Sequence, residues 1–129
     1  MTKTAVRKIL VADDDPDTRF MMSEFLDCLG FDHEVVPDGH DCVEELRRNP
    51  FTYALVLMDI HMPGISGIEA SKMVRRAEED PPSGIPIVGV TADFAYSEHD
   101  NPQKAFGINR MMSKPVKLSQ LNETIQDFV

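Results

Sequence analysis

Four groups of polar residues in this sequence carry types that could do chemistry together: the acids Asp13-Asp14-Asp15, the single acid Asp59, the hydroxyl of Thr91, and Ser113-Lys114-Pro115. Carboxylates gathered at one place repel one another and raise each other's pKa unless a cation sits among them. A hard divalent ion resolves that repulsion. Mg²⁺ takes oxygen ligands, keeps several waters and is commonly held by one or two carboxylates plus a phosphate, which suits a small open cluster. No grouping of Cys and His offers the nitrogen and sulfur ligands that zinc favours. A lysine and a threonine opposite the ion could hold the remaining oxygens of a transferring phosphoryl group, and a carboxylate could be its nucleophile.

Such residues act jointly only if the elements before them end at one rim. Five short apolar runs have strand length: Lys8 to Ala12, His33 to Val36, Ala54 to Met58, Pro86 to Val90 and Arg110 to Met112. The first, third and fourth are nearly unbroken aliphatic stretches, as expected of central parallel strands covered on both faces. Helical segments alternate with them. Pro16 opens the first, Met21, Met22, Phe25, Leu26 and Leu29 give its apolar face, and Gly30 closes it. Cys42, Val43 and Leu46 mark a second helix before Asn49-Pro50, and Ile68, Ala70, Met73, Val74 and Ala77 a third before Pro81-Pro82. Asn101-Pro102 confines the fourth to a short helix near 102–106, because proline is tolerated only in a first turn. Leu118, Leu121, Ile125 and Phe128 form the buried stripe of the last.

Alternating strands and helices with right-handed crossovers predict an α/β fold: a flavodoxin-like, doubly wound five-stranded parallel sheet of order 2-1-3-4-5 with five helices. In such a sheet ligands bind beyond the carboxyl ends of the strands, where strand order reverses. All four polar groups follow a predicted strand and so share that rim.

The 129 residues suit one domain, read as 1–129, with Asp80 to Gly84 as a conspicuous exposed loop. Thirteen Lys and Arg against 22 Asp and Glu leave a formal charge of −9, which disfavours nucleic acid and anionic lipid as partners. The longest apolar run, Ala54 to Met58, falls far short of the roughly 20 residues of a membrane span. The stretch after Lys3, Arg7 and Lys8 runs into three aspartates and makes no signal peptide, so the expected compartment is the cytoplasm. Cys28 and Cys42 lack metal or redox spacing and are read as two reduced, partly buried thiols.

Ile9 to Pro16, Leu57 to Gly67, Val90-Thr91-Ala92 and Ser113 to Val116 resemble, in order and spacing, the four signatures of response-regulator receiver domains, and the likeness spans almost the whole chain. The resemblance implies a phosphoacceptor for a histidine kinase or a histidine phosphotransfer protein. It makes Asp59 the acceptor, Asp14 a direct Mg²⁺ ligand, Asp13 one acting largely through water, and His61 a ligand through its backbone carbonyl. Thr91 would hydrogen-bond the phosphoryl group, Ala92 keep the approach open and Lys114 pair with it. Pro115 matches a peptide that is often cis. The domain would catalyse only its own phosphorylation and dephosphorylation. In many receivers an aromatic residue stands three positions before the lysine; Met111 stands there instead. The switch is then expected to pass from Thr91 to the short fourth helix.

Other readings fit less of the chain. A haloacid-dehalogenase-like phosphohydrolase would use Asp13 and Asp15 but leaves the Asp59 segment unexplained. A phosphorylation-independent pseudo-receiver would not need the full acceptor site. Asp13 to Glu24 imitates an EF-hand loop, yet Thr18 stands where glycine is required. Asp15 before Pro16 reads as a helix N-cap. His33, His40 and His99 are scattered and receive no role.

Overall fold

The aliphatic runs take the centre of one sheet. In the computed structural model, which describes residues 7–129, five parallel strands, β1 (Lys8–Ala12), β2 (His33–Val36), β3 (Tyr53–Asp59), β4 (Ile87–Thr91) and β5 (Arg110–Ser113), stand in the order β2-β1-β3-β4-β5. The single domain expected over 1–129 begins with residues, Lys3 among them, that lie outside the described range. The central strands β1, β3 and β4 are buried almost throughout, while the edges β2 and β5 are largely open.

Alternate side chains of each strand feed two cores, because successive residues point to opposite faces. Leu10, Val56 and Met58 pack with Cys42 and Leu46 of α2 (Gly39–Arg48) and Ala70 and Val74 of α3 (Gly67–Arg75). Ile9, Val11, Leu55 and Leu57 pack on the other face with Met22 and Leu26 of α1 (Pro16–Leu29) and Leu121 and Ile125 of α6 (Leu118–Phe128). Burial of each such aliphatic side chain contributes roughly 1.5–3 kcal/mol. Local signals set the helix ends. Asp15 caps α1, accepting from Thr18 Oγ1 at 2.7 Å, and Gly30 ends it at φ +82°, a conformation that only glycine adopts without strain.

Six helices are present among the described residues, against the five expected. The short helix near 102–106 is there as α5 (Pro102–Phe106), but a single turn, α4 (Phe94–Ser97), precedes it. Asp93 caps α4, its carboxylate accepting from the Ala95 amide at 3.0 Å, and one turn is too short to show an apolar repeat. Three further expectations need correction. Ala77 lies beyond α3, which stops at Arg75. The thiols are not both partly buried: Cys28 is exposed and Cys42 buried, its thiol pushed up to about 12 by burial. In the 80–84 loop, Pro81, Pro82 and Ser83 are half-buried.

Arg75, the last residue of α3, accounts for the partial burial of that loop. Its guanidinium donates to the carbonyls of Gly107 (2.9 Å), Ser83 (2.9 Å) and Ile85 (2.6 Å) and to Asn109 Oδ1 (2.9 Å). Asn109 Oδ1 also accepts from the Ile87 amide at 2.8 Å, so one side chain ties α3 to the entries of β4 and β5. At the opposite end of α3, Gly67 sits directly under the carbonyl of Asp59. A Cβ there would lie 2.1 Å from that oxygen, closer than any side chain can come, so glycine is needed to bring α3 against the end of β3.

Candidate functional site

The backbone register carries the expected residues to one place. Asp13 follows β1, Asp59 ends β3, Thr91 ends β4 beside Ser113, and Lys114 follows β5 with its amide donating to the Thr91 carbonyl at 2.9 Å. Asp13, Asp14 and Asp59 each offer an oxygen, all within 4.8 Å of one another. Asp13 and Asp59 are only 3% and 4% exposed, whereas Asp14 faces solvent. Lys114 Nζ lies 3.3 Å from Asp13 Oδ2 and 3.3 Å from Asp59 Oδ1. Thr91, buried, accepts on Oγ1 from the Asp93 amide at 3.0 Å. Three carboxylates with one ammonium leave about two negative charges in a small space, and the donor set is oxygen only. That set suits a hard cation.

Electrostatics mark Asp59 apart. Burial pushes its carboxyl up, the neighbouring Asp13 charge pushes it further, and Lys114 offsets only part, leaving it at about 6 against an ordinary 3.8. Burial disfavours the Lys114 ammonium, but Asp59 and Asp13 outweigh it and its pKa rises. Because the folded protein holds the Asp59 proton more tightly than the unfolded chain, this group favours folding most below the ordinary value. The advantage is lost as pH rises from there through about 6. Asp59→Asn should therefore unfold at higher denaturant than the wild type above that range, by on the order of 1–3 kcal/mol, with the gain fading toward acid. Urea titrations across pH test this; a gain that is the same at acid and neutral pH would assign it to packing instead.

His61 is exposed. Its Nε2 lies 3.3 Å from Asp93 Oδ2 and its ring meets Tyr96 edge-on at 5.5 Å, so the imidazole is engaged away from the acidic trio. Ala92 is exposed beside Thr91, and the Lys114–Pro115 peptide is cis. Asp15 is a capping residue, outside the trio. His33 is half-buried, and His40 and His99 are exposed. Two neighbours escaped the sequence reading. Arg19 Nη1 donates to the Asp13 carbonyl at 2.7 Å, and Asp93 both caps α4 and meets His61. Asp93 stands two residues after Thr91, a capping signal that could have been noticed; Arg19 offered none. Met111 is half-buried with its sulfur over Gly89, its partner in the β4–β5 register.

A doubly wound parallel sheet that ends in three carboxylates and a lysine defines a class of α/β proteins with an acidic pocket at the switch point. Comparison narrows it. The family model described as the response regulator receiver domain matches residues 9–126. The sensor histidine kinase RcsC of Salmonella typhi is 32% identical over 117 residues, a match that covers 91% of this chain and 12% of the kinase. Among solved structures, the chemotaxis protein CheY4 of Vibrio cholerae aligns with a TM-score of 0.82 at 26% identity, covering 96% of this chain and 99% of that one. The receiver domain of the sensor histidine kinase PA1611 from Pseudomonas aeruginosa, with a magnesium ion coordinated in its active site cleft, aligns with a TM-score of 0.80 at 26% identity, covering 95% and 96%. This chain belongs to the response regulator receiver domains, the unit carried by two-component histidine kinases and response regulators. It spans only 6% and 13% of the length of two other curated relatives that it matches.

Proposed function

We propose that this domain takes a phosphoryl group from the phosphohistidine of a histidine kinase or histidine phosphotransfer protein onto the carboxylate of Asp59. A carboxylate oxygen bonds to phosphorus, the phosphorus–nitrogen bond breaks, and its electron pair stays on the imidazole. The observation that carries the reading is Lys114 shared between Asp13 and Asp59 at 3.3 Å each, an ammonium already placed where new negative charge would develop. Mg²⁺ would be held by Asp13, Asp14, Asp59 and the carbonyl of His61, and it would neutralise the phosphoryl oxygens as they gather charge. The acidic trio supports that donor set, and PA1611 carries the same ion in its cleft. The chemistry would stay on its own aspartate, phosphorylation and hydrolysis alike. We read the chain as one receiver unit working in the cytoplasm; none of its described helices is long and apolar enough to cross a membrane.

Incubation with Mg²⁺ and acetyl phosphate, followed by mass-spectrometric mapping, tests the assignment. Modification at Asp59 is expected, and modification at Asp13 would favour the hydrolase reading. Asp14→Ala should weaken Mg²⁺ by tenfold or more, about 1.4 kcal/mol, since it removes charge and a ligand atom from the one exposed member of the trio. An isothermal titration indistinguishable from wild type would remove Asp14 from the site.

Phosphorylation would draw the Thr91 hydroxyl from the Asp93 amide toward the phosphoryl oxygens and so disturb the cap of α4. Amide NMR before and after a beryllofluoride mimic should show shifts over residues 92–107. The largest should precede α5, fading toward Gly107, which Arg75 holds. A response confined to α1 would refute this route.

A further inference from the structure

Between α3 and α5 runs an open groove of about 440 Å³, lined by Lys72, Arg75 and Arg76 on one wall and by Lys104, Ala105 and Phe106 on the other. In a chain of net charge −9, four cations at one groove are out of proportion. Most other cations are compensated: Lys8, Arg47, Arg48, Arg110 and Lys114 each have a carboxylate within 4.0 Å. Among the described residues Lys72, Arg76 and Lys104 have none, and all three are exposed. Basic residues near helix C-termini ordinarily answer the macrodipole, and α3 and α5 both end here. Two such ends carry about half a negative charge each at most, which offsets only a fraction of four positive charges.

The groove is also built in advance. Arg75 spends its guanidinium on the Gly107, Ser83 and Ile85 carbonyls and on Asn109, fixing the end of α3 to the end of α5, so the two walls need no ordering when something binds. What remains for a ligand is three exposed cations around a half-buried aromatic ring, Phe106, itself braced edge-on by Tyr96 at 5.6 Å and His99 at 4.8 Å.

We infer that this groove docks an acidic polypeptide segment, one carrying Asp or Glu residues on either side of an apolar side chain that packs on Ala105 and Phe106. Lys72 and Arg76 stand one helical turn apart, about 6 Å along the axis, which matches the spacing of alternate side chains on an extended strand, and Lys104 answers from across the groove. A single small anion would leave most of this charge unused, because the cations are spread along the trough and the one half-buried guanidinium already gives four of its five N–H donors to protein acceptors. A nucleic acid would meet the repulsion of the whole acidic domain along its continuous charge, whereas a short acidic segment places its charge only where the cations are. The docking does not depend on the chemistry of Asp59.

The test is a ¹⁵N NMR titration at low salt with a short synthetic peptide of glutamates around one central phenylalanine. Inorganic phosphate and a thymidine oligonucleotide serve as comparison ligands. Amide shifts clustered at residues 72–76 and 103–107, an affinity that falls with added NaCl, and a loss of about tenfold or more in the combined Lys72→Glu, Arg76→Glu, Lys104→Glu protein are expected. All three side chains are exposed, so the fold should persist; should the combined protein be unfolded, Lys104→Glu alone should still weaken the peptide measurably. Absence of binding, shifts centred elsewhere, unchanged affinity in the charge-reversed proteins, or phosphate or oligonucleotide binding the groove as tightly as the peptide would each overturn the inference.

Discussion

The Asp59→Ala protein, incubated with Mg²⁺ and acetyl phosphate or with a phosphorylated histidine donor, is expected to gain no phosphoryl group while folding as well as the wild type. Asp59 is the last residue of β3 and only 4% exposed, yet its carboxylate contributes nothing to the apolar cores on the two sheet faces. Truncation removes a buried charge held beside Asp13, so the fold loses a repulsion along with its contact to Lys114. Asp13 remains in the mutant with the same ammonium at 3.3 Å, which makes the experiment discriminating. If proximity to Lys114 were enough to make an acceptor, incorporation would move to Asp13 and continue. Phosphoryl incorporation at the wild-type level would sink the assignment of Asp59.

Arg75→Ala should be the most damaging truncation of a polar side chain outside the phosphoacceptor pocket, lowering stability by about 2–4 kcal/mol. The guanidinium makes four hydrogen bonds, three of them to backbone carbonyls that no other group satisfies so well. A hydrogen bond contributes roughly 1 kcal/mol net, and a buried acceptor left unpaired costs more. Arg75→Lys should recover little, since one ammonium cannot reproduce a planar fork spread over four acceptors. Urea unfolding should show the midpoint falling with an unchanged slope. A change within about 0.5 kcal/mol, the scatter of ordinary surface substitutions, would mean the network contributes almost nothing.

What the sequence made legible, and what it hid, follows from the range of the interactions concerned. Unbroken runs such as Val56 to Met58 identify central strands because burial on both faces leaves no room for alternation. Asp15, Pro16 and Gly30 bound α1 because caps are local and chemically specific. The pocket was readable because each of its members lies at or just past the end of a strand, so that placing the strands places the side chains. The rest depends on contacts between residues far apart in the chain. Arg75 reads as one charge of a solvated helix face until the 83–85 and 107–109 segments fold over it. Arg19 reaches back to the Asp13 carbonyl without a local motif. The turn at Phe94–Ser97 holds too few residues for periodicity to register, and its presence depends on an Asp93 cap.

Gly89 and Met111 hold one space between them. They face each other across β4 and β5, and a Cβ at position 89 would come within 2.7 Å of the Met111 sulfur. The obstacle is the end of a flexible side chain, so any residue larger than glycine would evict the thioether while leaving the backbone untouched. In a lineage under selection the two positions therefore form a single heritable unit. Glycine at 89 licenses bulk at 111, and gaining a side chain at 89 commits 111 to something slimmer. Among descendants of this domain, substitutions at these two sites should be inherited in pairs.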